Sequence, residues 1–309
     1  MPIMRPLLLM RLLTPLLALL LAVLPARAVV VENLYLGLVP VADHGASQLR
    51  RATRAGLAQV LVKVSGDGSV LEYGAVRQAL AESERYMQRY RYLTIDDELR
   101  LEVFFDPTLV NDLLRDARAP LWTANRPPVL VWLVAEDADG RHPVTRDSNP
   151  ELVAAIAEQL QRRGVPAVFP LYDLTDTLSL SIHDLWQLDK IAIDRASQRY
   201  DVQNILVGRV TVLPDGRWMG DWLYLYEQDS AAVSFYGEPV AEFSAGAVDM
   251  VADSMASRYA VAAGGDGGQA VLVRVDAIAD YAAYRQVLGY FEGIELVDAA
   301  WPAYFEGDS

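Results

Sequence analysis

The sequence predicts a mixed α+β/α/β protein: two successive two-layer α/β sandwich units, then a short C-terminal β-α-β remnant, half of a ferredoxin-like unit. Three observations lead there. Hydrophobic residues make up 52% of the chain and charged residues 22%, a balance that supports packed cores. Short apolar runs bounded by turn residues alternate with stretches of helical periodicity. Two breaks in that pattern, a proline-rich one at 121–128 and a glycine-rich one at 263–268, divide the chain into units 29–120, 129–262 and 269–309.

In the first unit, Val29 to Val41 reads as a strand ending near Pro40. Asp43 is a candidate cap for a helix reaching about Val64, because Leu49, Thr53, Leu57, Val60, Leu61 and Val64 recur at helical spacing. Ser65-Gly66-Asp67-Gly68 stops it. A second helix is expected near Ala75 to Glu84. Arg89 to Thr94 and Glu98 to Phe105 read as an antiparallel pair, the second with Leu99, Leu101, Val103 and Phe105 on one face. Pro107 opens a helix to Ala117.

In the second unit, Val129 to Ala135 is apolar nearly throughout, which suits a central strand. Asn149-Pro150-Glu151 starts a helix that Gly164 ends, and Val165 to Phe169 is the next strand. Helical sequence runs from Ile182 to Tyr200, followed by a buried strand, Asn204 to Val212. Pro214-Asp215-Gly216 turns the chain into Arg217 to Glu227. Ala232 to Tyr236 and a helix from about Ser244 complete the unit. In the third, Ala270 to Val275 reads as a strand, Asp280 caps a helix, and Ile294 to Val297 begins another strand.

Residues 1–28 have the three parts of a secretory signal: Arg5 and Arg11, an apolar run from Leu12 to Leu24, and Ala26-Arg27-Ala28. Cleavage after Ala28 would start the mature chain at Val29. The alternative, an uncleaved anchor, needs roughly 20 apolar residues, more than this run supplies. The expected location is the periplasm, with no stable membrane insertion after cleavage.

The net charge is −14, and removing the signal's three arginines takes it to −17. Such a chain is repelled by nucleic acid and by anionic lipid surfaces, so neither is an expected partner. There is no cysteine, which removes thiolate nucleophiles, thiolate metal sites and disulfides.

Several stretches resemble a known family. Val39-Pro40-Val41-Ala42-Asp43, Arg50, the run Gln59 to Gly66, Phe104-Phe105-Asp106, Pro120-Leu121-Trp122 and Arg126 to Leu133 are similar to landmarks of the domain-of-unknown-function 2066 family. The resemblance implies an exported protein of Gram-negative bacteria and implies no activity. Members of that family carry a longer C-terminal part, so the short end here is a departure. Tyr200 to Gly208 resembles, at fold level only, α/β domains of envelope accessory proteins, such as the N-terminal domain of the Tol-system propeller protein and the outer-membrane activators of penicillin-binding proteins.

The chemistry-bearing residues form no recognisable constellation, so no catalytic, cofactor-binding or metal-ligating residue is nominated and no cofactor is expected. His44, His142 and His183 lie far apart and outside metal-ligand spacings. Asp137-Ala138-Asp139-Gly140 fails as a calcium loop, because Ala135 and Arg146 would fall at ligand positions, and reads as a hairpin turn. There is no G-x-S-x-G elbow. Ser65 to Ser69 lacks the lysine–hydroxyl pair of a phosphate loop and follows a helix, so it reads as a helix cap. With 41 acids, carboxylate pairs are inevitable and none is marked. Two aromatic features remain. Trp218, Trp222, Tyr224 and Tyr226 fall on one strand face, and Arg85-Tyr86, Arg89-Tyr90 and Arg91-Tyr92 interleave base and ring. Either could anchor a partner, although core packing and cross-strand pairing are the more ordinary roles.

The functional expectation is a non-catalytic accessory or adapter protein of the cell envelope, with another envelope protein as partner and Trp218, Trp222, Tyr224 and Tyr226 as the possible binding surface. The alternatives are a carboxylate-based hydrolase of glycan or peptide and a small-ligand binding protein.

Overall fold

The computed structural model describes residues 29–95, 97–262, 271–276, 278, 280–292, 297 and 300–304. The proposed signal, the 263–268 linker and the Ile294–Val297 strand start (apart from Val297) lie outside them. The architecture is of the mixed α/β class expected.

The first part of the chain folds as β1 (Val29–Val30), β2 (Leu36–Pro40), α1 (Ala46–Ser65), α2 (Gly74–Ala81), β3 (Met87–Ile95), β4 (Glu98–Phe105) and α3 (Pro107–Asp116). Strands β2, β4 and β3 form an antiparallel sheet in that order. Leu101, Val103 and Phe105 of β4 meet Leu57, Val60, Leu61 and Val64 of α1 in a dry core. The alternation of β4 and the 3.6 period of α1 therefore face each other, as their patterns require. Two local expectations change. The run Val29–Val41 is broken by a turn at 32–35; Asn33 O in the turn and Leu36 O at the start of β2 accept hydrogen bonds from Lys63 Nζ. The first residue outside α1 is Gly45, not Asp43, whose Oδ1 accepts from Gly45 N at 2.7 Å.

The second part contains β5 (Pro120–Leu121), β6 (Asn125–Arg126), β7 (Val129–Asp137), β8 (Gly140–Pro143), α4 (Pro150–Arg163), β9 (Ala167–Val168), α5 (Leu174–Ser179), α6 (Ile182–Gln187), α7 (Lys190–Ser197), β10 (Asn204–Val212), β11 (Trp218–Tyr226), β12 (Asp229–Glu238), α8 (Val240–Tyr259) and β13 (Val261–Ala262). The main sheet runs β12-β11-β10-β7-β8, with β9 also on β7. The β10/β7 and β7/β9 pairs are parallel and the others antiparallel. Every residue from Val129 to Ala135 is buried, because this central strand has helices on both faces. Helices α4 and α8 cover one face. Leu180, Leu185, Ile193 and Ala196, from the α5–α7 region, cover Leu130, Trp132, Ile205 and Val207 on the other. The unit thus has three layers rather than the two expected.

The helical run expected over Ile182–Tyr200 is divided. Leu188 turns left-handed at φ 53°, and Asp189 then caps α7 by accepting from Ile191 N and Ala192 N. The strand expected at Val165–Phe169 pairs only over Ala167–Val168. The helix expected from Ser244 begins at Val240, and β12 is longer than Ala232–Tyr236.

The segment 121–128, expected to be a linker, is a buried joint. Strand β1 pairs with β6, and β13 pairs with β5, so both ends of the two-part body are stitched to this segment. Arg126 is fully buried and stacks on the Trp122 ring at 3.8 Å. Its guanidinium donates to the carbonyls of Lys63, Trp122, Thr123, Arg163 and Gly164, which saturates its five donors. Gly164 is required here: at φ 65°, a Cβ would lie 2.7 Å from Arg126 Nη1.

In the last part, Asp280 Oδ1 accepts from Ala283 N at the start of α9 (Tyr281–Glu292), as the cap reading requires. Among the described residues Val271–Asp276 pairs with no strand, and Ala270 and the expected neighbour Ile294–Leu296 lie outside them.

Candidate protein-binding ridge

The aromatic stripe of β11 is core. Trp218, Trp222 and Tyr224 are buried, and Tyr226 is half-buried beside them. Phe243 of α8 packs against Trp218 and Trp222, with ring centroids 6.3 and 5.1 Å away. Gly208, opposite Trp222 in the sheet, leaves room for that ring, since a Cβ there would lie 2.5 Å from it. The Tyr224 hydroxyl is tied to Asn204 Oδ1 at 2.6 Å and to Arg258 Nη2 at 2.6 Å. The expected binding surface is corrected accordingly: helix α8 covers it. Of the interleaved arginines and tyrosines, Arg89 stacks on Phe104 and Arg91 pairs with Glu102 across β3 and β4, an ordinary cross-strand arrangement.

Exposed apolar side chains occur on β12 at Tyr236 and in the C-terminal part at Val271, Leu272, Tyr281 and Trp301, and one group lies in the α5–α7 layer. Leu171, Leu174 and Leu178 are 72%, 74% and 79% exposed, and Ile182 and Ile191 are also exposed. Leu174 and Leu178 are one helical turn apart and share a face of α5. On the opposite face, Asp176 is 1% exposed. The polarity of α5 is therefore inverted, with leucines outward and a carboxylate inward. A buried acid and clustered exposed leucines are each informative, where a lone exposed leucine is not.

The inverted helix is held by a complete polar network. Asp176 Oδ1 accepts from Arg199 Nη1 at 2.7 Å, and Oδ2 accepts from the Tyr200 hydroxyl at 2.6 Å. Arg199 also forks onto Asp173 at 2.7 and 3.0 Å. The Tyr200 hydroxyl in turn accepts from Leu171 N at 3.0 Å, which fixes the backbone of the first exposed leucine. Asp173 caps α5 by accepting from Asp176 N. The Arg199 hydrogen bond lowers the Asp173 pKa to about 2, and Arg199 itself is held above its ordinary range by the same carboxylate. Burial, and then the hydrogen bond to Asp176, raise the Tyr200 hydroxyl, which keeps it a donor at neutral pH.

The layer beneath is equally tied. The Tyr172 hydroxyl accepts from Leu133 N at 3.0 Å and donates to Leu133 O at 2.9 Å. It thereby satisfies a stretch of β7 lying between its short pairings with β9 and β8. Tyr172 and Tyr200 contact the Trp132 ring edge-on at 5.4 and 6.0 Å, and Trp132 Nε1 donates to Ser197 Oγ at 2.9 Å. The exposed leucines thus stand on a rigid base, the condition under which apolar side chains bind with little ordering cost.

No sequence signal marks this ridge. Leucines at 171, 174 and 178 carry the spacing of a buried stripe, and only the fold reveals that Asp176 takes the inner position. Among the described residues, no group of three or more acids and histidines converges as metal donors, and no helix is long and apolar enough to cross a membrane. No curated protein and no solved structure matches the chain. Residues 28–123 match the model of a family described as a domain of unknown function (DUF8605), a stretch that runs through β5 to Thr123 and ends before the ridge.

Proposed function

We propose that the protein is a non-catalytic accessory or adapter of the bacterial cell envelope that binds a partner protein through Leu171, Leu174 and Leu178. The observation that carries this reading is the inverted polarity of α5, with Asp176 buried and neutralised inside while the leucines stay in solvent. A soluble helix with no partner has the opposite arrangement. Burying each leucine against a partner contributes about 1.5–3 kcal/mol, enough together for a specific contact. The partner chemistry is an apolar groove on another envelope protein.

The export part of the reading rests on the leader-like residues 1–28 and on the likeness to exported proteins of the domain-of-unknown-function 2066 family. N-terminal sequencing of the chain recovered from a periplasmic extract tests it, with Val29 the expected first residue. A chain retained in the cytoplasm with Met1 intact contradicts it. Capture of a partner by the wild-type chain but not by a Leu174→Asp, Leu178→Asp variant tests the binding part.

A further inference from the structure

Away from the ridge, the N-terminal part of the body carries a cleft of about 470 Å³ between the first half of α1 and the turn Ser83–Tyr86. Arg50, Arg51 and Arg54 line it from α1, and Arg85 lines it from the turn. The spacings 50/54 and 51/54 place the three helix arginines on one side of α1. Like charges at these spacings oppose each other and disfavour the helix. None of the three has an ion pair or side-chain hydrogen bond with a described residue, whereas elsewhere Arg91, Arg100, Arg163, Arg199, Arg209 and Arg217 each meet a carboxylate. Arg85 has only a distant contact with Glu82, 3.9 Å, between two side chains that are both more than half exposed.

Glu82 and Glu84 also line the cleft, so its lining carries four guanidinium groups against two carboxylates. A local positive excess in a chain of net charge −14 is a reversal of sign. The α1 arginines approach from one wall and Arg85 from the other. A single carboxylate is satisfied by one guanidinium fork, whereas a phosphate offers more acceptor oxygens in several directions. The volume lies in the range of sites for small molecules and headgroups.

We propose that this cleft is a binding site for a phosphate-bearing ligand, gripped by Arg50, Arg51 and Arg54 on one side and Arg85 on the other. The shared chemistry is a phosphate mono- or diester or a pyrophosphate. It could come from a soluble molecule or from a lipid headgroup. This site is independent of the leucine ridge, and neither proposal depends on the other.

The test uses the full mature chain at low salt. Titration calorimetry with inorganic pyrophosphate and co-sedimentation with phosphatidylglycerol vesicles, against phosphatidylcholine vesicles, are run on three proteins: wild type, Arg51→Glu with Arg54→Glu, and Arg146→Glu as a charge control outside the cleft. The wild type is expected to bind at least one phosphate probe. The cleft variant is expected to bind at least tenfold more weakly, and the Arg146→Glu variant to be unchanged. Binding to pyrophosphate assigns a soluble source; binding to phosphatidylglycerol vesicles alone assigns a headgroup. No binding of either probe by the wild type overturns the proposal. So does a cleft variant that binds as well as wild type, or a loss in Arg146→Glu in proportion to its change of two charges against the cleft variant's four, which would reduce the effect to net charge. Arg51, Arg54 and Arg146 are solvent-exposed, so unchanged thermal midpoints verify that each variant folds.

Discussion

Asp176 and Arg199 form an ion pair, 2.7 Å from Oδ1 to Nη1, in which the carboxylate side chain has no exposed surface and the guanidinium is 31% exposed. This pair sets the orientation of α5, and with it the direction in which Leu174 and Leu178 point. Removing the acid leaves the Tyr200 hydroxyl and one arm of Arg199 without their partner. Asp176→Ala should therefore destabilise the fold by about 2–3 kcal/mol, below the cost of breaking a fully buried pair because Arg199 keeps Asp173 and solvent. Leu174→Ser, on the outer face, should change stability by less than about 0.5 kcal/mol. Urea denaturation of both variants checks the contrast.

The second anchoring acid titrates. The folded-state pKa of Asp173 lies at about 2, below its ordinary value of 3.8. Its contribution to stability is therefore fully present above the ordinary value and is lost as pH falls through the folded value. Between pH 4 and pH 2 the wild type should lose denaturation midpoint faster than Asp173→Asn. Parallel slopes for the two proteins would refute the role of Asp173.

At the joint a second group gives a slope of the same sign, in the alkaline range. Burial, reinforced by the nearby Arg126 charge, lowers the Lys63 pKa from 10.5 to about 8. Between these values the folded chain has released a proton that the unfolded chain still holds. The unfolded state binds more protons, so stability rises with pH across that window. From pH 8 to 9.5 the wild type should gain urea midpoint relative to Lys63→Met, and the gain should vanish below pH 7.

Trp222 sits in the core, so its truncation is a cavity mutation. Trp222→Ala should cost about 3–5 kcal/mol. A loss of that size in urea denaturation, accompanied by a shift in near-ultraviolet circular dichroism, is the expected result. A variant as stable as wild type would restore the view of this side chain as surface.

Much of the fold was readable because its strands and helices declare themselves by period. β4, β7 and β10 and the caps at Asn149 and Gly164 follow from alternation, apolar continuity and turn chemistry. The joint was not readable. Pro120 to Pro128 has the composition of a linker, and nothing local says that Arg126 will find five carbonyls contributed from as far away as residues 63 and 164. The alternation of β11 puts the aromatic stripe on one face, but which face is covered depends on α8, over ten residues further along the chain. The leucine ridge was hidden for the opposite reason. Its spacing is that of a core stripe, and a long-range pairing with Arg199 and Tyr200 turns it outward. Arg50, Arg51 and Arg54 did leave a local sign, three arginines within five residues of a predicted helix with no acid among them.

The most direct test of the adapter account is site-specific photo-crosslinking in living Gram-negative cells. A photoreactive phenylalanine analogue replaces Leu178 in the full-length chain, and Arg146 in a control. The account predicts one dominant protein adduct from position 178, absent from position 146 and lost when Leu174→Asp is added. No adduct from position 178, or the same adducts from both positions, would contradict it.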